Sequence, residues 1–257
     1  MLEAFHYTSK IKTLPYKLYR YMKCDDYMYD VIENSRCHLS SVDEFDDTDE
    51  LGLHLIQAHL ELGTLQDGFS DVSAKLNGNI CVTMDVNGKA FDFDDQNKYL
   101  HEWDNRQIHD RRQKYKVLCF TVRPDNEYMW HNYADCHRGV CLEFSGMINA
   151  CANQNGFQGY VYYEDVKNLS KDLLGKDACD PEILLYPFFH KTNEYAKEEE
   201  VRLVIRTVRK YLPFSPTVLS SIYYGKQITL ENKIRLENCI QKNNPNIHLM
   251  SEIKANP

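Results

Sequence analysis

Residues 116–144 read KVLCFTVRPDNEYMWHNYADCHRGVCLEF, and this stretch decides the fold class. Its opening, 116–122, is a short apolar run rich in β-branched and aromatic side chains, which suits a strand. Pro124, Asp125 and Asn126 break the run, residues 127–135 read as a short helix, and Gly139 opens a second strand over 139–144. Downstream, the pattern predicts strands at 159–163 and 201–205, a helix over 181–195, a strand at 221–224, a helix over 230–242 and a last strand at 247–250. Upstream, a strand is expected at 4–7. Residues 16–34 then place Leu18, Tyr21, Met22, Met28, Val31 and Ile32 at helical spacing, and a further strand is expected at 37–42. A helix over 51–65 and a strand at 79–84 follow, and the polar segment 89–112 reads as a surface insertion. Strands scattered among helices without strict β-α-β alternation predict an α+β fold.

The 257 residues carry no repeat, low-complexity tract or Gly/Ser/Pro linker, so a single domain over 1–257 is expected. No apolar stretch reaches the ~18–20 residues that a membrane-spanning helix needs. The N-terminus lacks the apolar core and cleavage site of a signal peptide, and a cytoplasmic protein is expected. Nine widely spread cysteines with no C-x-x-C pair point to reduced thiols. A net charge of −8 disfavours non-specific nucleic-acid binding, although Arg106, Arg111, Arg112, Lys114 and Lys116 form a local basic group. Eighteen tyrosines supply contact area with a polar tip, suited to cores and ligand pockets alike.

Several chemistries lack their motif. There is no G-x-G-x-x-G after a strand, Gly225-Lys226 has no upstream P-loop glycine, and neither G-x-S-x-G nor H-E-x-x-H occurs. Rossmann dehydrogenases, P-loop ATPases, serine hydrolases and zinc peptidases lose their support.

Four constellations remain. In KEEEVRLVIR, residues 197–206, Glu198 and Glu200 stand on one face of an extended edge leading into an apolar strand. Such carboxylates can divide labour between stabilising positive charge at a sugar carbon and orienting an acceptor. The alternative is a solvated turn in which Arg202 pairs with one of them. In FHYTS, residues 5–9, His6 and Thr8 share a strand face opposite Phe5 and Tyr7, and a strand-borne histidine either binds a ribose hydroxyl or is structural. Trp130, His131, Tyr133, His137 and Arg138 crowd one helix and turn, as ligand-binding residues or as core. The spacing of His131, Cys136, His137 and Cys141 matches no zinc knuckle. The acidic turn of Asp43, Glu44, Asp46, Asp47, Asp49 and Glu50 either caps a helix or holds a hard cation, though it lacks the EF-hand glycine.

Taken in order, FHYTS, CHLSSVDEFDDTDE (37–50), CFTVRPDNEYMWHNYADCHRGVCLEF (119–144) and YAKEEEVRLVI (195–205) resemble an uncharacterised bacterial family. That family shows an opening K/H-Y-[RT] strand, an F-N-D-P turn, M-W-s-H-Y-A-D with r-G-v-c-l-e-F, and a late W-x-x-E-x-E-x-R. Asp46 and Thr48 replace the usual Asn and Pro, and Tyr195 replaces the Trp. The same order is similar, more distantly, to the ADP-ribosyltransferase superfamily, whose members hold NAD across a split mixed β-sheet with surrounding helices. That resemblance implies an ADP-ribosyltransferase-like single domain that uses NAD as substrate, with a macromolecular acceptor, protein or nucleic acid, or water. A toxin or anti-phage setting with an antitoxin or partner protein goes with it. By the same resemblance His6, with Tyr7 and Thr8, holds the adenosine ribose, Tyr133 or Ser40/Ser41 fills the middle motif, and Trp130 and Arg202 line the site. Glu200 stabilises the oxocarbenium-like transition state and Glu198 orients the acceptor. A binding module without catalysis is the rival reading, and a metal-dependent nuclease on the acidic turn is the third.

Overall fold

The computed structural model describes residues 2–4, 13–41, 44, 113–163 and 185–253. In chain order these form β1 (Leu2–Ala4), β2 (Lys17–Met22), α1 (Asp26–Asn34), β3 (Arg36–His38), β4 (Ser40–Ser41), β5 (Tyr115–Thr121), α2 (Glu127–Asn132), β6 (Val140–Ser145), α3 (Met147–Ala150), β7 (Gly156–Tyr160), β8 (Tyr162–Tyr163), β9 (His190–Lys191), β10 (Glu200–Arg206), β11 (Tyr211–Pro213), β12 (Leu219–Tyr224), α4 (Leu230–Asn243) and β13 (His248–Ser251). Short 3-10 turns occupy Tyr186–Phe189, Asn193–Glu198 and Pro216–Val218. His6, Tyr7, Thr8, Arg106, Arg111, Arg112, the expected helix over 51–65, the strand at 79–84 and the polar segment 89–112 lie outside the described residues, as does the acidic turn except Glu44.

The architecture is mixed α+β. Its nine-stranded sheet runs β1-β7-β10-β5-β2-β6-β12-β13, with β4 pairing to β5 off this path. The edge pairs β1–β7 and β12–β13 are parallel and the inner pairs antiparallel. Two compact units divide the chain where the sequence draws no boundary: residues 1–44, 115–162 and 194–257 in the first, 45–114 and 163–193 in the second. In the second unit, Leu185, Phe188 and Phe189 are buried.

The single helix expected over 16–34 is instead strand β2 followed by helix α1. The physical reason lies in β2's position at mid-sheet, covered on both faces. Leu18 enters the main apolar cluster with Met28, Ile32, Leu142, Phe144 and Leu236, and Met22 packs against it. Tyr19 and Tyr21 face the opposite cluster with Trp130, Ala134, Cys141 and Tyr223. A strand apolar on both faces loses its two-residue alternation, and Leu18, Tyr21 and Met22 then mimic helical spacing. Asp25 ends the ambiguity, because its carboxylate accepts the Met28 N–H at 3.0 Å and caps α1. The helix read over 181–195 is also corrected: within the described residues, 3-10 turns flank the short strand β9. Pro187 falls in the interior of the expected helix, where it has no N–H to donate, and His190–Lys191 are extended.

The sheet has a weak joint. β2 pairs with β6 along six positions, Lys17↔Ser145 to Met22↔Val140, but meets β5 at Tyr19↔Thr121 alone. Further along β5, β4 takes the edge instead, with Ser40↔Val117 and Ser41↔Lys116. Past Tyr19, β2 therefore diverges from its neighbour.

Candidate functional site

That divergence sets out the candidate site. Arg20, Tyr21, Met22 and Lys23 from the end of β2, Asp25, Tyr27 and Val31 from α1, His38 of β3, Glu44 and Tyr133 line a pocket of about 420 Å³. The size falls among small-molecule sites, which run from roughly 300 to 1,000 Å³. Burial holds the His38 imidazole below its ordinary range against the pull of Glu44, 3.7 Å away.

Tyr133 reaches the pocket from the end of α2. Asn126 caps that helix by accepting the Met129 N–H at 3.3 Å, and its own amide donates to the Lys197 carbonyl at 2.6 Å, tying α2 to the glutamate turn. The Tyr133 hydroxyl donates to Glu198 Oε1 at 2.5 Å. Beyond Tyr133 the backbone stays left-handed for three residues, Asp135, Cys136 and His137, at φ of 49°, 51° and 65°. Each such residue costs roughly 1–2 kcal/mol, so the turn needs external support. His137 provides it: its ring stacks on Trp130 at 5.7 Å and contacts Glu252 at 2.9 Å and Glu127 at 3.1 Å. Gly139 follows because a Cβ there would stand 2.2 Å from the Met22 carbonyl oxygen. Trp130 and His137 are thus scaffold, while Tyr133, 40% exposed, faces outward.

The glutamates are neither a solvated turn nor a continuous extended edge. Glu198 closes a 3-10 turn, Glu199 is left-handed at φ 48°, and Glu200 begins β10. Glu198 and Glu200 are both buried, whereas the Glu199 carboxylate is exposed beside Arg123 at 3.5 Å. Arg202, fully buried, grips both oxygens of Glu200 at 2.8 and 3.0 Å. The structure thus brings Tyr133 and Glu198 together, and Glu200 with Arg202. Ser40 and Ser41 sit half-buried on β4 and do not line the pocket.

A thiolate nucleophile finds little support. Burial pushes the Cys24 and Cys37 thiols up to about 11 and Cys151 up to about 12. Among the described residues no group of three or more His, Cys, Asp or Glu side chains is placed to hold a metal ion, and no helix is long and apolar enough to cross a membrane. Arg20 and Tyr27 escape a sequence reading that makes 16–34 one helix, and His38 falls on the strand expected at 37–42 without a motif around it. The Asp25-Asp26 pair behind the last apolar residues of β2 is the signal that separates strand from helix.

Residues 129–203 match a family model described as "Protein of unknown function (DUF2971)". No curated protein and no solved structure matches the chain. The matched span includes Tyr133, Glu198, Glu200 and Arg202, and leaves Arg20 and His38 outside it.

Proposed function

We propose that this chain cleaves the nicotinamide–ribose bond of NAD and passes ADP-ribose to a macromolecular acceptor or to water. The observation that carries this reading is the Tyr133–Glu198 hydrogen bond beside a pocket that opens where β2 leaves β5. A nucleotide held in such a split would need no glycine-rich loop. In the reaction the C–N bond breaks, nicotinamide leaves with the bonding pair, and positive charge develops at the ribose carbon. An acceptor lone pair then closes on that carbon and its proton is released.

The resemblance assigns charge stabilisation to Glu200 and acceptor orientation to Glu198. We exchange these roles, because Glu200 is chelated by Arg202 whereas Glu198 is bonded to a residue that lines the pocket. Glu198 then faces the developing charge, Tyr133 holds its carboxylate in place, and the Glu200–Arg202 pair anchors the turn. His6, Tyr7 and Thr8 keep the ribose role that the resemblance gives them. A toxin or anti-phage effector, with an antitoxin as partner, is the setting that fits this chemistry.

A second reading, nucleotide binding without turnover, is favoured by one fact: both buried carboxylates already have tight partners. The two separate on incubation with NAD labelled in the adenine ring, following free nicotinamide and label transfer to lysate. Glu198→Gln is expected to cut nicotinamide release by about a hundred- to a thousandfold while the fold is kept. An undiminished Glu198→Gln protein sinks the role given to Glu198. NAD that raises the melting temperature but is never cleaved establishes the binding module.

A further inference from the structure

The pocket holds a cation whose pairing is incomplete. Arg20 stands on β2, and its Nη1 is buried with no hydrogen-bond partner among the described residues. Its guanidinium bonds the buried Cys37 thiol and pairs with no carboxylate among the described residues, so its charge is left without a counter-ion and an anionic occupant is favoured. The acids in the lining are turned to other work. The Asp25 carboxylate caps α1 through the Met28 N–H, and Glu44 lies toward His38. Lys23, exposed at the rim, adds a second positive charge. Two tyrosines in the same lining are well exposed, Tyr27 at 55% beside the His38 ring at 5.6 Å, and Tyr133 at 40% with its hydroxyl on Glu198.

A guanidinium without a carboxylate partner among the described residues, a rim lysine and two exposed tyrosines around about 420 Å³ define one ligand chemistry. We propose that the pocket seats a nucleoside diphosphate, its phosphate oxygens on Arg20 and Lys23 and its base against Tyr27 or Tyr133. Arginine suits this task because its planar fork matches phosphate geometry and stays charged. The assignment rests on the nucleotide reading above for the base, while the anion seat stands on Arg20 and Lys23 independently of it.

The test is calorimetric titration of the full chain with ADP, inorganic pyrophosphate and adenosine. ADP is expected to bind, pyrophosphate to compete with it, and adenosine to bind at least about tenfold more weakly. Arg20→Gln should weaken ADP and pyrophosphate by about ten- to a hundredfold and leave adenosine unchanged. Because Arg20 belongs to a central strand, Lys23→Gln at the exposed rim gives a second reading, a loss of severalfold for the charged ligands only. Equal affinity for ADP and adenosine overturns the proposal, as does full ADP affinity in a folded Arg20→Gln protein. Pyrophosphate that binds as tightly as ADP reduces the site to a free-phosphate seat and overturns the nucleoside part. ADP binding that depends on Arg20, in a protein that releases no nicotinamide, keeps this site and removes only the cleavage reading. Nicotinamide release indifferent to Arg20→Gln does the reverse.

Discussion

Two buried glutamates of one sheet, with two strands between them, are held in opposite ways. Glu143, in the middle of β6, gathers its donors from the strands on either side, β2 and β12: Lys17 at 3.0 Å, Ser220 at 2.9 Å and Tyr223 at 2.9 Å. Burial alone would raise its carboxyl, yet those donors outweigh it and hold the group below the ordinary glutamate range. Glu200, at the start of β10, takes its cation from two residues along its own strand, and that cation is sealed from water while Lys17 is largely exposed. The Glu143 network joins distant segments and stays open to solvent at one end. The Glu200–Arg202 contact lies within one strand and is sealed from water, and it fixes the strand end from which the Glu198–Glu199 turn hangs.

The contrast breaks first at Arg202. Arg202→Met leaves the Glu200 charge buried without its chelating partner, and a loss of roughly 3–5 kcal/mol is expected in urea denaturation. A loss under ~1 kcal/mol would mean that the pair is no more closed than a surface bridge. Lys17→Met is the gentler counterpart, with at most about 1 kcal/mol expected near neutral pH because that lysine is solvated. Its signature is in acid. A carboxyl whose folded pKa is depressed contributes stability above its unfolded pKa and loses it as pH falls through the folded value. Removing Lys17 raises the folded pKa of Glu143, so melting temperature followed against pH should begin its acid decline at higher pH than in the parent. The smallest effect falls between the two glutamates: Glu199→Gly relieves a left-handed residue, and after the greater freedom of glycine in the unfolded chain a gain of a few tenths of a kcal/mol is expected in thermal melts.

Elements whose pattern is local were legible. β5, α2 and β6 fall within a few residues of the strand, helix and strand expected at 116–122, 127–135 and 139–144, and α4 matches the helix expected over 230–242. β2 was not, because a strand covered on both faces has no alternation to read, and with it went Arg20 and the pocket. The glutamate run suggested chemistry, but its conformation depends on a left-handed Glu199 and on Asn126, 71 residues away, which bonds the Lys197 carbonyl. Charge patterning could not distinguish a solvated run from one whose outer members are buried, since that difference comes from Tyr133 and Arg202. Trp130 illustrates the converse: an aromatic in a ligand-like cluster that belongs to the core.

β5 and β6 are successive described strands joined through α2, yet they do not pair, because β2 lies between them. The second strand of the chain thus closes the centre of the sheet, with partners 102 positions away on β5 and 118 to 128 away on β6. Contacts of such sequence separation slow folding, since loop closure must precede any reward. During synthesis β2 is made first and must wait for both of its partners. A product of internal initiation or proteolysis that began after Met22 would lack the middle of its sheet as well as the edge strand β1, leaving two half-sheets each with an open, aggregation-prone border.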